Sequence, residues 1–194
     1  MIKLYYNPQS RAVMTRCLLE ELRVPYEIEI LNYEDGSMRS PEFLKINPMG
    51  KVPAIRDGET VVTESAAIIL YLADKYKTHN DLAPDIDHKD RGEYLRWIVF
   101  CSSCIDPAMA QVGLKFEGKR QSLGWGTPEL VFSTVESRLE KAAPYLFGSQ
   151  LTAADIFLGM SMGWAMQFGL APKASATSRY VEHIQNLDGW KAVQ

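Results

Sequence analysis

Cysteine and histidine are both scarce, with three residues of each in a chain of 194. Three cysteines cannot form the disulfide framework of a small secreted protein, so we expect a protein of the reducing cytoplasm. The histidines lie in or near polar segments and lack the spacing of metal ligands. The sequence therefore predicts neither disulfides nor a metal site.

The chain has no large excess of either charge, because 24 acidic residues outnumber 21 lysine and arginine residues only slightly. A net charge of −3 lacks the positive field with which nucleic-acid-binding proteins neutralise phosphates. The longest uncharged stretch, 156–172, contains glycine, serine and glutamine and is slightly short for a membrane span. Residues 1–6 are too short for the apolar core of a signal peptide. With 46% hydrophobic residues, we expect a globular protein that binds neither nucleic acid nor membranes.

The first quarter of the sequence predicts a strand, a helix and a second strand. Residues 2–6 are rich in strand-forming side chains and end at the turn pair Asn7-Pro8. Apolar residues then recur at helical spacing, and Ser10 lies where a helix-capping residue belongs. Residues 25–31 alternate apolar and charged side chains, which is typical of a half-buried strand. This order indicates a βαβ unit with its helix on one face of a sheet.

The next segment completes an α/β module. Pro41 begins a short helical turn, Asp57-Gly58 predicts a hairpin between two short strands, and helical periodicity resumes at Glu64. The order β-α-β-(α)-β-β-α fits one layer of helices on a mixed sheet.

A polar stretch over 77–90 predicts a linker, and every later segment has helical periodicity. Thr152 and Asp155 have the spacing of a reciprocal helix cap, in which each side chain binds the other residue's amide. The fold class predicted is an α/β N-terminal domain followed by an all-α helical domain.

Three motifs in this order resemble those of the cytosolic glutathione transferase family, and their spacing fits nearly the whole chain. The motifs are residues 47–55 (NPMGKVPAI), 63–68 (TESAAI) and 151–155 (LTAAD).

The resemblance implies a thioredoxin-like glutathione-binding domain over 1–76, a linker over 77–90 and a helical domain over 91–194 that lines the pocket of a second substrate. It implies that glutathione is a co-substrate and that its thiolate attacks an electrophilic small molecule. From the histidine spacing we expect no metal. A cytoplasmic homodimer with a role in detoxification is the expected form.

The family resemblance assigns the backbone beside Val52 and Pro53 to glutathione. In the family this peptide bond is cis, and the N–H and C=O of the residue before proline pair with the cysteinyl part of the tripeptide, as an added strand would. Base rates alone favour the trans isomer, so only the resemblance favours cis here.

Two carboxylates of glutathione need partners. The resemblance places Glu64 and Ser65 at the γ-glutamyl carboxylate, where helix amides form an anion site. The same residues could simply complement the helix dipole. Arg39 is placed at the glycyl carboxylate, and Lys51 could serve the same end, although both could equally be solvated loop cations.

The thiol of glutathione must lose its proton before it can attack. Ser10 is the first candidate for stabilising the thiolate, because serine-using classes place their hydroxyl at this helix start; its alternative role is to cap the helix. Tyr6 and Asn7 are the reserve candidates. Asn7 aligns with the theta-class serine, and Arg11 with the beta-class cysteine, so the chain departs from both classes.

Two other functions fit the same resemblance. The chain could be a binding or regulatory protein that keeps the fold without catalysis, or a glutathione-dependent peroxidase or disulfide reductase. Cys101 and Cys104 form a CxxC pair, but it lies in a later helix rather than at the first helix start, where redox motifs lie. We therefore expect these cysteines to be plain buried or pocket-lining thiols.

Overall fold

The computed structural model describes every residue except 78 and 79, which belong to the predicted linker. The described residues form two compact units. The first comprises Met1–Asp81 with Asp188–Gln194, and the second comprises Leu82–Leu187. The domain limits expected from the family stay a prediction.

A four-stranded mixed sheet and helices beside it make up the described part of the first unit. Its elements before residue 81 are β1 (Ile2–Tyr6), α1 (Ala12–Leu22), β2 (Tyr26–Ile30), α2 (Pro41–Leu44), β3 (Ala54–Asp57), β4 (Thr60–Thr63) and α3 (Ser65–Lys75). The strand order is β2-β1-β3-β4, with β1 parallel to β2 and antiparallel to β3. This is the predicted α/β domain.

Helices α1 and α3 pack together on one face of the sheet. Leu4 pairs with Ile55 across β1 and β3, and both side chains are fully buried. The prediction of a half-buried second strand is wrong for most of β2, because Ile28 and Ile30 are 38% and 61% exposed. β2 is the edge strand, so it has a neighbouring strand on one side only.

One carboxylate ties the β3–β4 hairpin to the end of α3. Asp57 accepts hydrogen bonds from Lys75 Nζ at 2.6 Å, Tyr76 Oη at 2.7 Å and Tyr71 Oη at 2.9 Å. Burial alone would raise the pKa of the Asp57 carboxyl, but these three donors lower it below its usual value.

Asp57→Asn should therefore weaken the acid dependence of stability. The pKa of Asp57 is lower in the folded protein than in the unfolded chain, where it is near 4. The ionised carboxylate therefore stabilises the fold fully above about pH 4, and this stabilisation is lost as the pH falls below that value. We expect the variant to lose roughly 2 kcal/mol of unfolding free energy at pH 7 and much less at pH 3, measured by urea denaturation. Glu59→Gln, at an exposed site in the same hairpin, is the control. An equal loss at both pH values would contradict the prediction.

The second unit is helical throughout its regular elements in the described chain. They are α4 (Arg91–Phe100), α5 (Asp106–Leu114), α6 (Pro128–Leu139), α7 (Ala153–Gln167) and α8 (Ser175–Gln185). The predicted fold class, an α/β domain followed by an all-α domain, is thus confirmed.

A π-helical segment, Cys101–Ile105, joins α4 to α5 just before Pro107. Proline has no N–H to donate to the carbonyl one turn earlier, so Pro107 and the π segment both interrupt the α-helical hydrogen-bond pattern at this point. The joined helix Arg91–Leu114 is long and apolar enough to cross a membrane by length and composition, a criterion that core helices of soluble proteins also meet.

The predicted helix cap at the start of α7 is confirmed. Thr152 and Asp155 form the reciprocal capping box, and the Thr152 N–H donates to Asp155 Oδ2 at 2.8 Å. Most side chains of α7 are buried, so this helix is the centre of the second unit.

The chain returns to the first unit in a short helix, α9 (Asp188–Lys191), which packs against α1. The Gly189 N–H donates to Glu21 Oε1 at 2.6 Å, and Arg16 Nη2 donates to the Ala192 carbonyl at 3.0 Å. A Cβ at Gly189 would lie 2.5 Å from the Cys17 carbonyl oxygen, so only glycine permits this approach.

Candidate functional site

Sheet register brings several predicted site residues to one end of the first unit. Ala54, the first residue of β3, pairs with Tyr5 of β1 and with Thr63 of β4. The residues just before β3, just after β4 and just after β1 therefore lie at the same end of the sheet. The structure thus brings Val52, Ser65 and Asn7 near one another.

Val52 presents its main chain at this end. Its bond to Pro53 is cis, as the family resemblance implies. Within residues 1–77 and 80–194, neither the Val52 N–H nor its C=O has a hydrogen-bond partner, and β3 pairing begins only at Ala54. The residue is half-buried, so both groups can pair with an extended ligand.

Asn47, which the sequence interpretation did not single out, shapes the loop before Val52. It is buried, its Nδ2 donates to the Lys51 carbonyl at 2.8 Å, and its Oδ1 accepts the Met49 N–H at 3.1 Å. The signal in the sequence is Asn47-Pro48, since asparagine side chains commonly bind the backbone of the turn they begin.

Two cations lie in the loops beside Val52. Arg39 ends a short 3₁₀ turn, and its Cδ and Nη1 lie 3.3 and 3.4 Å from where a Cβ of Gly50 would be. Lys51 directly precedes Val52, and both cationic side chains are exposed. In the described part of the chain neither has an ion-pair partner, so both charges are available to an anion.

The start of α3 combines backbone strain with free donors. Glu64 has φ 70° and ψ 123°, in the region that favours glycine, and such residues cost about 1–3 kcal/mol and cluster at functional sites. Ser65 is half-buried, and its hydroxyl has no partner among the described residues. Because the first amides of a helix also lack intrahelical partners, this end can bind a carboxylate.

Ser10 lies at the start of α1 and its hydroxyl makes two local bonds. Oγ donates to the Asn7 carbonyl at 2.7 Å and accepts the Ala12 N–H at 3.1 Å. The hydroxyl thus has the structural role that the sequence offered as an alternative. Accepting a hydrogen bond from the Ala12 N–H also polarises the Ser10 hydroxyl, which favours its donating a hydrogen bond to an anion.

The reserve candidates are held by other contacts. Asn7 is buried, donates from Nδ2 to the Leu31 carbonyl at 2.8 Å and accepts the Gln9 N–H on Oδ1 at 2.8 Å. Tyr6 is buried, and its ring centroid lies 5.8 Å from the Arg16 guanidinium carbon. All three candidates therefore have structural contacts as well, Ser10 and Asn7 through hydrogen bonds and Tyr6 through its buried ring.

Two of the three cysteines, Cys17 and Cys101, are buried. Cys101 is buried in the second unit, and burial raises the pKa of its thiol well above the usual value. Burial likewise raises the pKa of Cys17. Such thiols stay protonated and unreactive. In the described ranges, no group of three or more histidine, cysteine or carboxylate side chains has a metal-binding arrangement.

Several known proteins are similar to this chain. Residues 1–74 match the family model described as glutathione S-transferase, N-terminal domain. A zeta-class glutathione S-transferase of Euphorbia esula is 36% identical over 165 residues, which cover 81% of this chain and 72% of the relative. Glutathione S-transferase hmp2 of Hypomyces subiculosus is 33% identical over 208 residues, which cover 98% of this chain and 96% of the relative. A solved structure is also similar, that of glutathione transferase URE2P6 from Phanerochaete chrysosporium in complex with oxidized glutathione. Its TM-score is 0.82 at 25% sequence identity, and the match covers 99% of this chain and 94% of the URE2P6 chain.

Proposed function

Because the chain belongs to the cytosolic glutathione S-transferase family, we propose that it binds reduced glutathione and transfers it to an electrophilic small molecule. The observation that carries the proposal is the clustering of unpaired groups at one end of the sheet. They are the Val52 backbone, the Ser65 hydroxyl with the first amides of α3, and the Arg39 and Lys51 cations.

In the proposed complex each part of the tripeptide has a chemically matched partner. The cysteinyl backbone pairs with the N–H and C=O of Val52, as an antiparallel strand would. The γ-glutamyl carboxylate accepts hydrogen bonds from Ser65 and the helix amides beside Glu64. The glycyl carboxylate pairs with Arg39 or Lys51, where a shielded charge-assisted bond contributes roughly 1.5–3 kcal/mol.

Ser10 is proposed to activate the thiol. When glutathione releases its thiol proton to water, the Ser10 hydroxyl turns from the Asn7 carbonyl and donates to the sulfur. The thiolate then forms a sulfur–carbon bond to the electrophile, and the leaving group takes the bonding electrons with it. Lowering the thiol pKa by about two units requires only about 2.7 kcal/mol of preferential stabilisation.

The remaining expectations belong to the same proposal. A small organic electrophile is the second substrate, the functional form is a cytoplasmic homodimer, and the physiological role is detoxification. No metal is assigned to the reaction, since the thiolate is the nucleophile and the protein supplies hydrogen bonds and position.

Calorimetric titration with reduced glutathione tests the binding site. Arg39→Ala and Ser65→Ala should each raise the dissociation constant by about tenfold or more, because each removes a partner of a carboxylate. Lys45→Ala removes an exposed cation from the same unit that the proposal does not use, so its dissociation constant should equal that of the wild type.

Two results would contradict the proposal: no heat of glutathione binding to the wild type, or equal affinity for the wild type, Arg39→Ala and Ser65→Ala. Binding without turnover of any electrophile would favour the non-catalytic alternative. Turnover of an organic peroxide or a disulfide, without conjugation, would favour the reductase.

A further inference from the structure

We propose that the first unit carries a second small-molecule site, which takes a small zwitterion such as a free α-amino acid. The site is a cavity of about 290 Å³ on the sheet face opposite α1 and α3. Its apolar floor comes from Tyr5, Phe43 and Ile46, and charged side chains form the rest of its lining. None of these residues belongs to the proposed glutathione site.

Strand register places four of the lining side chains on one face. Lys3 pairs with Arg56 across β1 and β3, and Tyr5 pairs with Glu29 across β1 and β2. Cross-strand neighbours project from the same side of a sheet, so these four residues surround a common space. The fully buried Leu4 lies between Lys3 and Tyr5 in β1 and faces the core on the other side.

The two cations and two anions around the cavity are only partly paired with each other. Two cations, Lys3 and Arg56, stand directly opposite each other, which is unfavourable unless anions neutralise them. Glu29 pairs with Lys3 at 3.3 Å. In the described chain Arg56 has no such partner, and neither does Glu42 on the other wall of the cavity. One cation and one anion therefore face the same space unpaired.

A zwitterion satisfies both unpaired groups at once. Its carboxylate can bind the Arg56 guanidinium in a bidentate manner, and its ammonium group can donate to the Glu42 carboxylate. A simple anion would leave Glu42 unpaired beside it, and a simple cation would be repelled by Arg56. The arrangement thus selects against ions of a single charge.

Tyr5 adds a hydroxyl group to the lining of the cavity. Its side chain is buried, with 6% exposed, yet its hydroxyl has no hydrogen-bond partner among the described residues. The hydroxyl oxygen itself is accessible to solvent, so it can bind a molecule that enters the cavity. The ring packs on Phe43 with centroids 5.4 Å apart, which fixes it in the cavity lining. A ligand carboxylate bound at Arg56 would supply the missing acceptor.

The cavity volume lies near the lower limit for small-molecule pockets, so the ligand has few non-hydrogen atoms. Because Phe43 and Ile46 line it, a small apolar side chain suits it best. Alanine and valine are accordingly the probes, and propionate and ethylamine are the matched ions that lack the ammonium or the carboxylate group.

The test is an NMR titration of the full chain that follows its backbone amide shifts. L-Alanine or L-valine should cause saturable shifts in β1, α2 and β3, with a dissociation constant of roughly 1 mM. Propionate and ethylamine should each bind at least tenfold more weakly. Arg56→Gln, Glu42→Gln and Tyr5→Phe should each weaken amino-acid binding several-fold, whereas Lys45→Ala, which changes a nearby charge outside the cavity, should not.

Amide shifts that stay linear in amino-acid concentration, or equal binding of propionate and alanine, would overturn the proposal. So would unchanged binding in both Arg56→Gln and Glu42→Gln. Ser65→Ala separates this site from the glutathione site, because that variant should retain the amino-acid shifts in full.

Discussion

Ser10→Ala should lower kcat for glutathione conjugation by about 100-fold or more at neutral pH, with little change in the dissociation constant for glutathione. The reason is that removing a single hydrogen-bond donor to an anion in the active site lowers kcat by about 100- to 1000-fold in other enzymes. Binding depends mainly on the two carboxylates and the cysteinyl backbone, which the substitution leaves alone. Stopped-flow or steady-state assays with an activated aryl chloride, alongside calorimetry, separate the two quantities.

The pH profile distinguishes thiol activation from a loss of structure. If Ser10 stabilises the thiolate, the apparent pKa that limits kcat should rise by about one to two units in Ser10→Ala. A merely structural role, through the bond from Oγ to the Asn7 carbonyl, would lower stability without moving this pKa. Ser10→Thr keeps a hydroxyl and should recover most of the activity.

Unchanged kinetics in Ser10→Ala would transfer thiol activation to Tyr6 or Asn7. Tyr6→Phe and Asn7→Ala would then be the next variants. Asn7 also joins β1 to the end of β2 through the Leu31 carbonyl, so its variant needs a stability measurement beside the kinetic one.

Asp155→Ala should be the most destabilising single change in the second unit, with a loss of about 3–5 kcal/mol of unfolding free energy. The side chain is fully buried and accepts four hydrogen bonds. Oδ1 accepts from the Leu146 N–H at 2.7 Å and from Tyr180 Oη at 2.6 Å. Oδ2 accepts from the Thr152 N–H at 2.8 Å and from Thr152 Oγ1 at 2.6 Å.

Alanine at position 155 would leave those four donors buried without an acceptor, and each unsatisfied donor carries its own desolvation cost. Urea denaturation followed by circular dichroism measures the loss. Tyr180→Phe removes one of the four bonds and should cost only about 1–2 kcal/mol.

Asp87→Ala is the matched control, because Asp87 is an exposed aspartate of the same unit. Its unfolding free energy should stay within about 0.5 kcal/mol of the wild type. An Asp155→Ala protein as stable as this control would contradict the account of α7 as the capped centre of the unit.

Features encoded in a few adjacent residues are predictable from the sequence. The capping box of α7 needs only Thr152 and Asp155, and it forms as expected. The alternation of β1 places Tyr5 and Tyr6 on opposite faces, yet both are buried, because Phe43 covers Tyr5 on the face away from α1. The helical periodicity of the later segments does not fix where a helix stops: α6 ends at Leu139, before Pro144, which has no N–H to continue it.

Features that depend on distant partners are not predictable in this way. The side chain of Asn7 binds a carbonyl 24 residues away, and Asp57 binds hydroxyls 14 and 19 residues away. Local patterns carry no information about such pairings. The candidate site contains residues of both kinds. The position of Ser65 at a helix start can be predicted from the motif over 63–68. That the Val52 N–H and C=O are unpaired depends on where the pairing of β3 with β1 begins, which the local sequence does not reveal.

The return of α9 to α1 makes the first unit discontinuous in sequence. A growing polypeptide can assemble the sheet and its helices early, but the surface of α1 around Glu21 and Cys17 stays uncovered until Gly189 has left the ribosome. The second unit is synthesised in the meantime. The first unit is therefore completed last although it begins to form first, and a fragment that stops at residue 81 would expose a surface that the whole chain keeps covered.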